Sequence, residues 1–267
     1  MKTTRYRILC LGAMFCIAAL ASSQAFATAR VLSFDFTVDG SNSYSVTQQG
    51  QCLAGSTTKT STRSFTMTET ATEDNLDGSF DFDLDQTDMT NVEDGGTPES
   101  LPSRSDTTTV VEASGKVTAA PDMDYLLNTS LISDETYVMG SGYDVSGMFI
   151  SSAVDVNSTW TVQHKTTPYG QSEQTVTATA TLQQWTTMNG YNVAKIRYVW
   201  TEPVRGKKTD VNIYISGSIS CENIVYFAYA EKKIVKSVLT YNGRLDRVDG
   251  GTTDIVDVTS TDTTTLD

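Results

Sequence analysis

Histidine is nearly missing from this chain: His164 is the only one in 267 residues. Any Ser-His-Asp or Cys-His mechanism would have to use it. It stands between Gln163 and Lys165 in a run led by Trp160, and no Gly-x-Ser-x-Gly elbow occurs to present a serine nucleophile. We read His164 as a surface or partly packed side chain, and histidine-rich metal sites are excluded. Positive charge is also scarce, with 19 Lys and Arg against 32 Asp and Glu. Phosphate contacts need Lys and Arg, so this balance opposes binding to nucleic acid or anionic lipid, and it favours solubility and hydration. The acidity is concentrated before residue 125.

Long apolar runs are limited to Ile8–Leu20. Lys2, Arg5 and Arg7 precede that run, and Ala25-Phe26-Ala27 follows it. A basic start, a short apolar middle and an Ala-x-Ala exit form a secretory signal peptide cleaved after Ala27. The run is short of the roughly 20 residues a membrane-spanning helix needs. The expected product is therefore exported, to the periplasm or cell surface, with no transmembrane anchor in the mature chain.

Cysteine is sparse. After cleavage Cys52 and Cys221 remain. An oxidising compartment invites a pair to form a disulfide. Cys221 also shares a strand face with Ile213, Ile215 and Ile219, which makes an inert buried thiol the competing reading. Two cysteines without histidine neighbours make a poor metal site, and no cofactor is implied.

What is abundant is β-patterned sequence. Leu32, Phe34, Phe36 and Val38 alternate with polar residues, the mark of a half-buried strand. Tyr44 and Val46 start a returning strand. Gln49–Thr62 reads as a loop with a weak strand, and Arg63–Thr72 as a Thr-heavy edge strand. Asp77-Gly78 and Ser114-Gly115 mark hairpin turns. Asn91–Ser105, with two glycines and two prolines, reads as a disordered loop.

After Pro121, the spacing of Met123, Leu126, Leu127 and Leu131 predicts a short amphipathic helix, followed by a Gly-rich stretch. Strands then follow from Trp160, from Thr175 to Trp185, from Val193 to Trp200 and from Val211 to Ile219. Asn189-Gly190 is the strongest hairpin signal. Lys207-Lys208 and Asn242-Gly243 read as further turns. Ile224–Ala230, apolar on both faces, predicts a central strand covered on two sides. The Thr/Asp-rich tail is expected to add a strand at Ile255, Val256 and Val258 before fraying.

A strand, a long hairpin and a closing hairpin recur in the same order in both halves. The predicted fold is therefore all-β. Two related antiparallel units, half-barrel or sandwich-like, span 28–121 and 154–250. They are joined by a helical and Gly-rich connector at 122–153, with a tail at 251–267. Ser141-Gly142-Tyr143, the Asn157-Ser158-Thr159-Trp160 strand opening and the terminal Val/Tyr hairpins resemble a family of exported bacterial proteins of unknown function. That resemblance implies a duplicated all-β body and export, and no activity.

Three candidate sites arise. Glu73, Asn75, Asp77, Gly78, Ser79 and Asp81 have the oxygen spacing of a calcium loop. Leu84 stands where a bidentate Glu is needed and helices are missing, so an ordinary hairpin turn competes with weak calcium binding. Trp160, Ile196, Tyr198, Ile215 and Phe227 could line a cavity for an apolar, lipid-like ligand, or could be core. Paired carboxylates for a hydrolase have no sequence signature, because their separation is three-dimensional. The expected function is a non-enzymatic structural or binding role, toward an apolar small molecule or a cell-surface component. An apolar carrier and a carboxylate-based hydrolase are the alternatives.

Overall fold

The computed structural model describes residues 28–119, 142–144, 147–166, 174–208 and 213–267. The expected signal peptide over 1–27 and the expected helix from Met123 to Leu131 lie outside them.

The described residues are all-β. In chain order the strands are β1 (Ser41–Ala54), β2 (Thr57–Asp74), β3 (Ser79–Glu93), β4 (Glu99–Ser100), β5 (Arg104–Glu112), β6 (Val117–Ala119), β7 (Gly142–Asp144), β8 (Thr159–Thr166), β9 (Gln174–Met188), β10 (Tyr191–Lys208), β11 (Ile213–Ala228), β12 (Lys233–Asp249) and β13 (Thr252–Leu266). They form one sheet in the order β6-β5-β3-β2-β1-β13-β12-β11-β10-β9-β8-β7, with β4 beside β3. The sheet is antiparallel and open, with β6 and β7 at its edges.

Turn chemistry sets much of this order. Asn189 and Gly190 have φ of 48° and 84°, the left-handed pair a two-residue hairpin requires. Gly250 and Gly251, at 55° and 91°, do the same between β12 and β13. The hairpin at Ser114-Gly115 also forms, between β5 and β6.

Several expectations are corrected. Gln49–Thr62 is two long strands joined by a tight turn at Gly55-Ser56, because alternate residues Tyr44, Val46, Gln48 and Cys52 all face inward and the ladder continues. Arg63–Thr72 is no edge, since β2 pairs with both β1 and β3. The Asn91–Ser105 segment is ordered at both ends, by β3 and β5, with β4 between.

Lys207-Lys208 continues β10, opposite Tyr214 and Ile213. Asn242-Gly243 lies mid-strand in β12, opposite Ser220 and Ile219. Glycine is needed there for space, because a Cβ would sit 2.6 Å from Ile219 Cγ1. The tail does not fray. β13 is paired on both sides, to β12 and β1, and the Asp267 carboxylate accepts hydrogen bonds from Ser43 and Ser45 at 2.9 and 2.5 Å.

The Leu32–Val38 alternation belongs to an extended segment outside the sheet. Period-two burial reports an extended backbone, and pairing is a separate matter. Leu32 is 4 % exposed, and the Phe34 ring packs at 5.2–5.4 Å from Phe227, Phe149 and Phe36. Phe34 N–H donates to the Ala113 carbonyl, Phe149 N–H to that of Ser114, and Arg30 exchanges two backbone bonds with Val154. The two ends of the sheet are thus tied together by segments 30–36 and 147–154.

Most apolar side chains gather on one face of the sheet. The inner face holds three apolar clusters, around Ile196 and Phe227, around Ile219 and Leu245, and around Val46 and Phe65. The outer face carries Thr66, Thr68, Lys195, Arg197, Thr259 and Thr261 at the alternate positions. A lipid-facing barrel needs an apolar outer band, so this sheet has the opposite polarity. Ile224–Ala230 is central as expected, between β10 and β12, but it is not covered on both sides throughout. The strand ends at Ala228, Val225 and Phe227 face inward, Ile224 and Tyr226 are half-buried on the other face, and only Ala228 joins Val193 and Val235 in a small buried cluster.

Candidate functional site: a polar band on the inner face

The apolar residues proposed to line a ligand cavity are brought together with one exception. Trp160, Ile196, Tyr198 and Phe227 share one cluster, while Ile215 lies in another, at the far end of β11. The chain's own aromatics cover the shared cluster. Phe149 sits 4.6 Å from the Phe227 ring and Phe34 closes over its edge. Trp160 Nε1 and the Tyr198 hydroxyl both donate to the Met148 carbonyl, at 2.9 and 3.3 Å. The 147–156 stretch is thereby anchored by the polar atoms of two core aromatics, as buried indole and phenol groups require.

Cys52 and Cys221 are both buried, and neither is in a disulfide. No disulfide joins them, because β12 and β13 stand between their strands. Three strand spacings come to roughly 14 Å, against a disulfide Cα separation of about 4.4–6.8 Å. Both belong to the Ile219–Leu245 cluster.

The 73–81 turn spends its oxygens on itself. Asn75 Nδ2 donates to Ser79 Oγ and Asp81 Oδ1, at 3.2 and 2.7 Å. Asp77 Oδ1 accepts from the Ser79 amide and hydroxyl, which holds its carboxyl below the usual range. Among the described residues no group of three or more His, Cys, Asp or Glu side chains is placed to hold a metal ion. His164 lies on β8 opposite Val176, and its side chain falls outside what is described.

A feature the sequence reading missed lies between the apolar clusters. In β13 the inward positions run Val256, Val258, Ser260, Asp262. In β1 they run Tyr44, Val46, Gln48, then Gly50 and Cys52. Register aligns Asp262 with Gln48, Gln48 with Arg63, and Arg63 with Asn91. On the other side it aligns Ser260 with Tyr241 and Tyr241 with Cys221. A band of polar side chains therefore crosses the inner face, with the Val46–Phe65 cluster on one side and the Ile219–Leu245 cluster on the other. Glu202 joins it from β10.

All of these but half-buried Arg63 are deeply buried, with Asp262 at 8 % and Glu202 at 4 % exposure. Asp262 accepts from Ser260 Oγ at 3.1 Å and Gln48 Nε2 at 3.5 Å. Burial disfavours its charged form more than these bonds and the Arg63 charge favour it, so its carboxyl is raised to about 6. Burial, reinforced by Asp262, Cys221 and Glu202, drives the Tyr241 hydroxyl well upward. Burial and then Glu202 raise the Cys221 thiol. Tyr241 and Cys221 are therefore neutral at any physiological pH, while Asp262 titrates near neutrality. A second pair, buried Tyr44 and half-buried Glu69, lies further along β1 and β2. There, burial raises the Glu69 carboxyl to about 7 against a hydrogen bond from the Tyr44 hydroxyl.

The missed signal is a polar residue at apolar parity. Glu202 shares its strand face with Ile196, Tyr198 and Val204, and Asp262 shares one with Val256 and Val258. No known family's sequence model matches this chain, and no curated protein sequence is similar to it.

Proposed function

We propose that this is an exported β-sheet protein with a structural or binding role and no catalysis of its own. The export signal over 1–27 and an origin of the two halves in one duplicated unit belong to that reading. The observation that carries it is the filling of the apolar inner face by the chain's own Phe34 and Phe149. Phe227 and Ile196 are 0 % exposed beneath them. An apolar carrier would need that volume for its ligand. Binding would then fall to the polar outer face, toward a cell-surface component.

Native mass spectrometry of the protein purified from its own host tests this. A bare chain mass is expected. A co-purifying lipid, displaced by a fluorescent fatty-acid probe, would establish the carrier instead.

The second reading is a hydrolase using paired acids, and the two inward carboxylates it would use are Glu202 and Asp262, at 4 % and 8 % exposure. Turnover of chromogenic glycosides or esters, lost in both Glu202→Gln and Asp262→Asn, would select it.

A further inference from the structure

The outer face carries its charge unevenly. Lys195 on β10, Tyr226 on β11 and Lys236 on β12 stand directly opposite one another, so they form one row across three strands. The Lys195 ammonium lies 5.9 Å from the centre of the Tyr226 ring, and that of Lys233 lies 5.5 Å from the centre of the Tyr191 ring. Both rings pack on Val193, Ala228 and Val235, which are 0 % exposed. That fixed base holds the lysine stems in place. Neighbouring cations are already matched, Arg197 with Glu222 and Lys232 with Asp35. Among the described residues no carboxylate pairs with Lys195, Lys233 or Lys236, in a chain whose acids outnumber its bases 32 to 19.

The complementary surface lies on β3. Asp81, Asp83 and Asp85 alternate along that strand on the outer face, with Glu73 directly opposite Asp81. Thr70 and Thr107 flank Asp83, and Thr68 and Ser105 flank Asp85, so no neighbouring strand supplies a cation there. Like charges side by side on one face destabilise a sheet, and among the described residues no Lys or Arg pairs with this stripe. One chain cannot neutralise the two surfaces against each other. In the order β3-β2-β1-β13-β12 they are at least four strand spacings apart, roughly 19 Å, where an ion pair needs about 4 Å. The stripe runs about 13 Å and the lysine row about 9.5 Å, so one can lie along the other.

We propose that the acidic β3 stripe of a second copy of the chain docks on the Lys195, Lys233 and Lys236 patch. The two surfaces are different, so the contact is heterologous, and copies add head to tail into an open array instead of closing as a symmetric pair. Exposed ion pairs are individually weak, which makes the association dependent on protein concentration. The formal charge of −13 opposes it at long range. At about 0.1 M salt the screening length is about 10 Å, so distant charges are muted while pairs in contact keep their attraction. The inference rests on the structural role proposed above. A bare chain mass in that test with no assembly in this one sinks the array alone.

Sedimentation velocity of the protein tests the array. At about 0.1 M salt the average mass should rise with protein concentration past that of a dimer, and at about 1 M salt it should fall back to that of a single chain. Lys195→Gln with Lys236→Gln should abolish the rise, and so should Asp83→Asn with Asp85→Asn. Mixed in equal amounts, the two variants should form a dimer and nothing larger, because the first offers only its acidic stripe and the second only its basic patch. Circular dichroism checks that each variant keeps the native fold. A chain that stays single up to about 1 mM overturns the proposal, as does assembly that persists at about 1 M salt. Assembly that survives either pair of substitutions overturns it too, as does a mixture that stays monomeric or grows past the dimer. Should a variant not fold, zero-length carbodiimide crosslinking of the unmodified protein decides. A link from Lys195 or Lys236 to Asp83 or Asp85 must join two copies and supports the array, and links at other positions only overturn it.

Discussion

Replacing Asp262 by asparagine should stabilise this protein at mildly alkaline pH and leave it unchanged or slightly weakened in acid. The folded carboxyl titrates at about 6, against 3.8 for the ordinary group. Between those values the folded state keeps a proton that the unfolded chain has released, so stability falls as pH rises through the window and levels off above it. A shift of about two units corresponds to roughly 3 kcal/mol as an upper bound. Glu69, raised from 4.5 to about 7, acts in the same direction over an overlapping window.

Asparagine carries no charge to bury, and its oxygen can still accept from Ser260. Its amide meets Gln48 Nε2, so the glutamine must flip, at a cost of about 1 kcal/mol. The net gain near pH 8 is then about 1–2 kcal/mol, or roughly 0.5 M in the urea midpoint at a slope of about 2–3 kcal/mol per molar. Urea melts of the unmodified protein and the variant at pH values from about 4.5 to about 8 read this out. The unmodified midpoint should climb on acidification, and the variant's should climb less. Acidification also relieves the self-repulsion of a chain with formal charge −13, but that term is nearly common to both proteins and cancels in the difference. Equal destabilisation by Asp262→Asn at both extremes of pH would refute the buried-carboxylate account.

Phe34→Ala should cost about 3–4 kcal/mol in the same melts, since it removes a ring packed on three others and leaves a cavity. Gly243→Ala should cost about 1–3 kcal/mol in the same melts by overpacking against Ile219. Cys52 and Cys221 should resist a thiol reagent in the native protein and both react on unfolding, and a reductant should leave the melting curve unchanged. A native chain that gives no thiol signal after denaturation without reductant would contradict the three-strand separation.

The local rules of the chain were legible without coordinates. Alternation in Val193–Trp200, the Asn189-Gly190 turn and the apolar run at Ile224–Ala230 each depend on neighbours close in sequence. They give the all-β class and most of the strands of the second half. Leu32–Val38 marks the limit, because its alternation foretold an extended chain with one side buried but could not say whether another strand lies beside it. Asn242-Gly243 shows the same limit from the other side, since the demand for glycine comes from Ile219, on the neighbouring strand.

By itself, the sequence determined that the chain is an acidic β protein with inward apolar and outward polar residues, because side-chain parity is a property of each strand alone. Tertiary structure decided that β1 pairs with β13, that Cys52 and Cys221 stand three strands apart, and that Asp262, Gln48, Arg63 and Glu202 meet on one face. Those outcomes depend on which strands become neighbours. Pairing register is set by the summed fit of a whole face, and no single residue carries it.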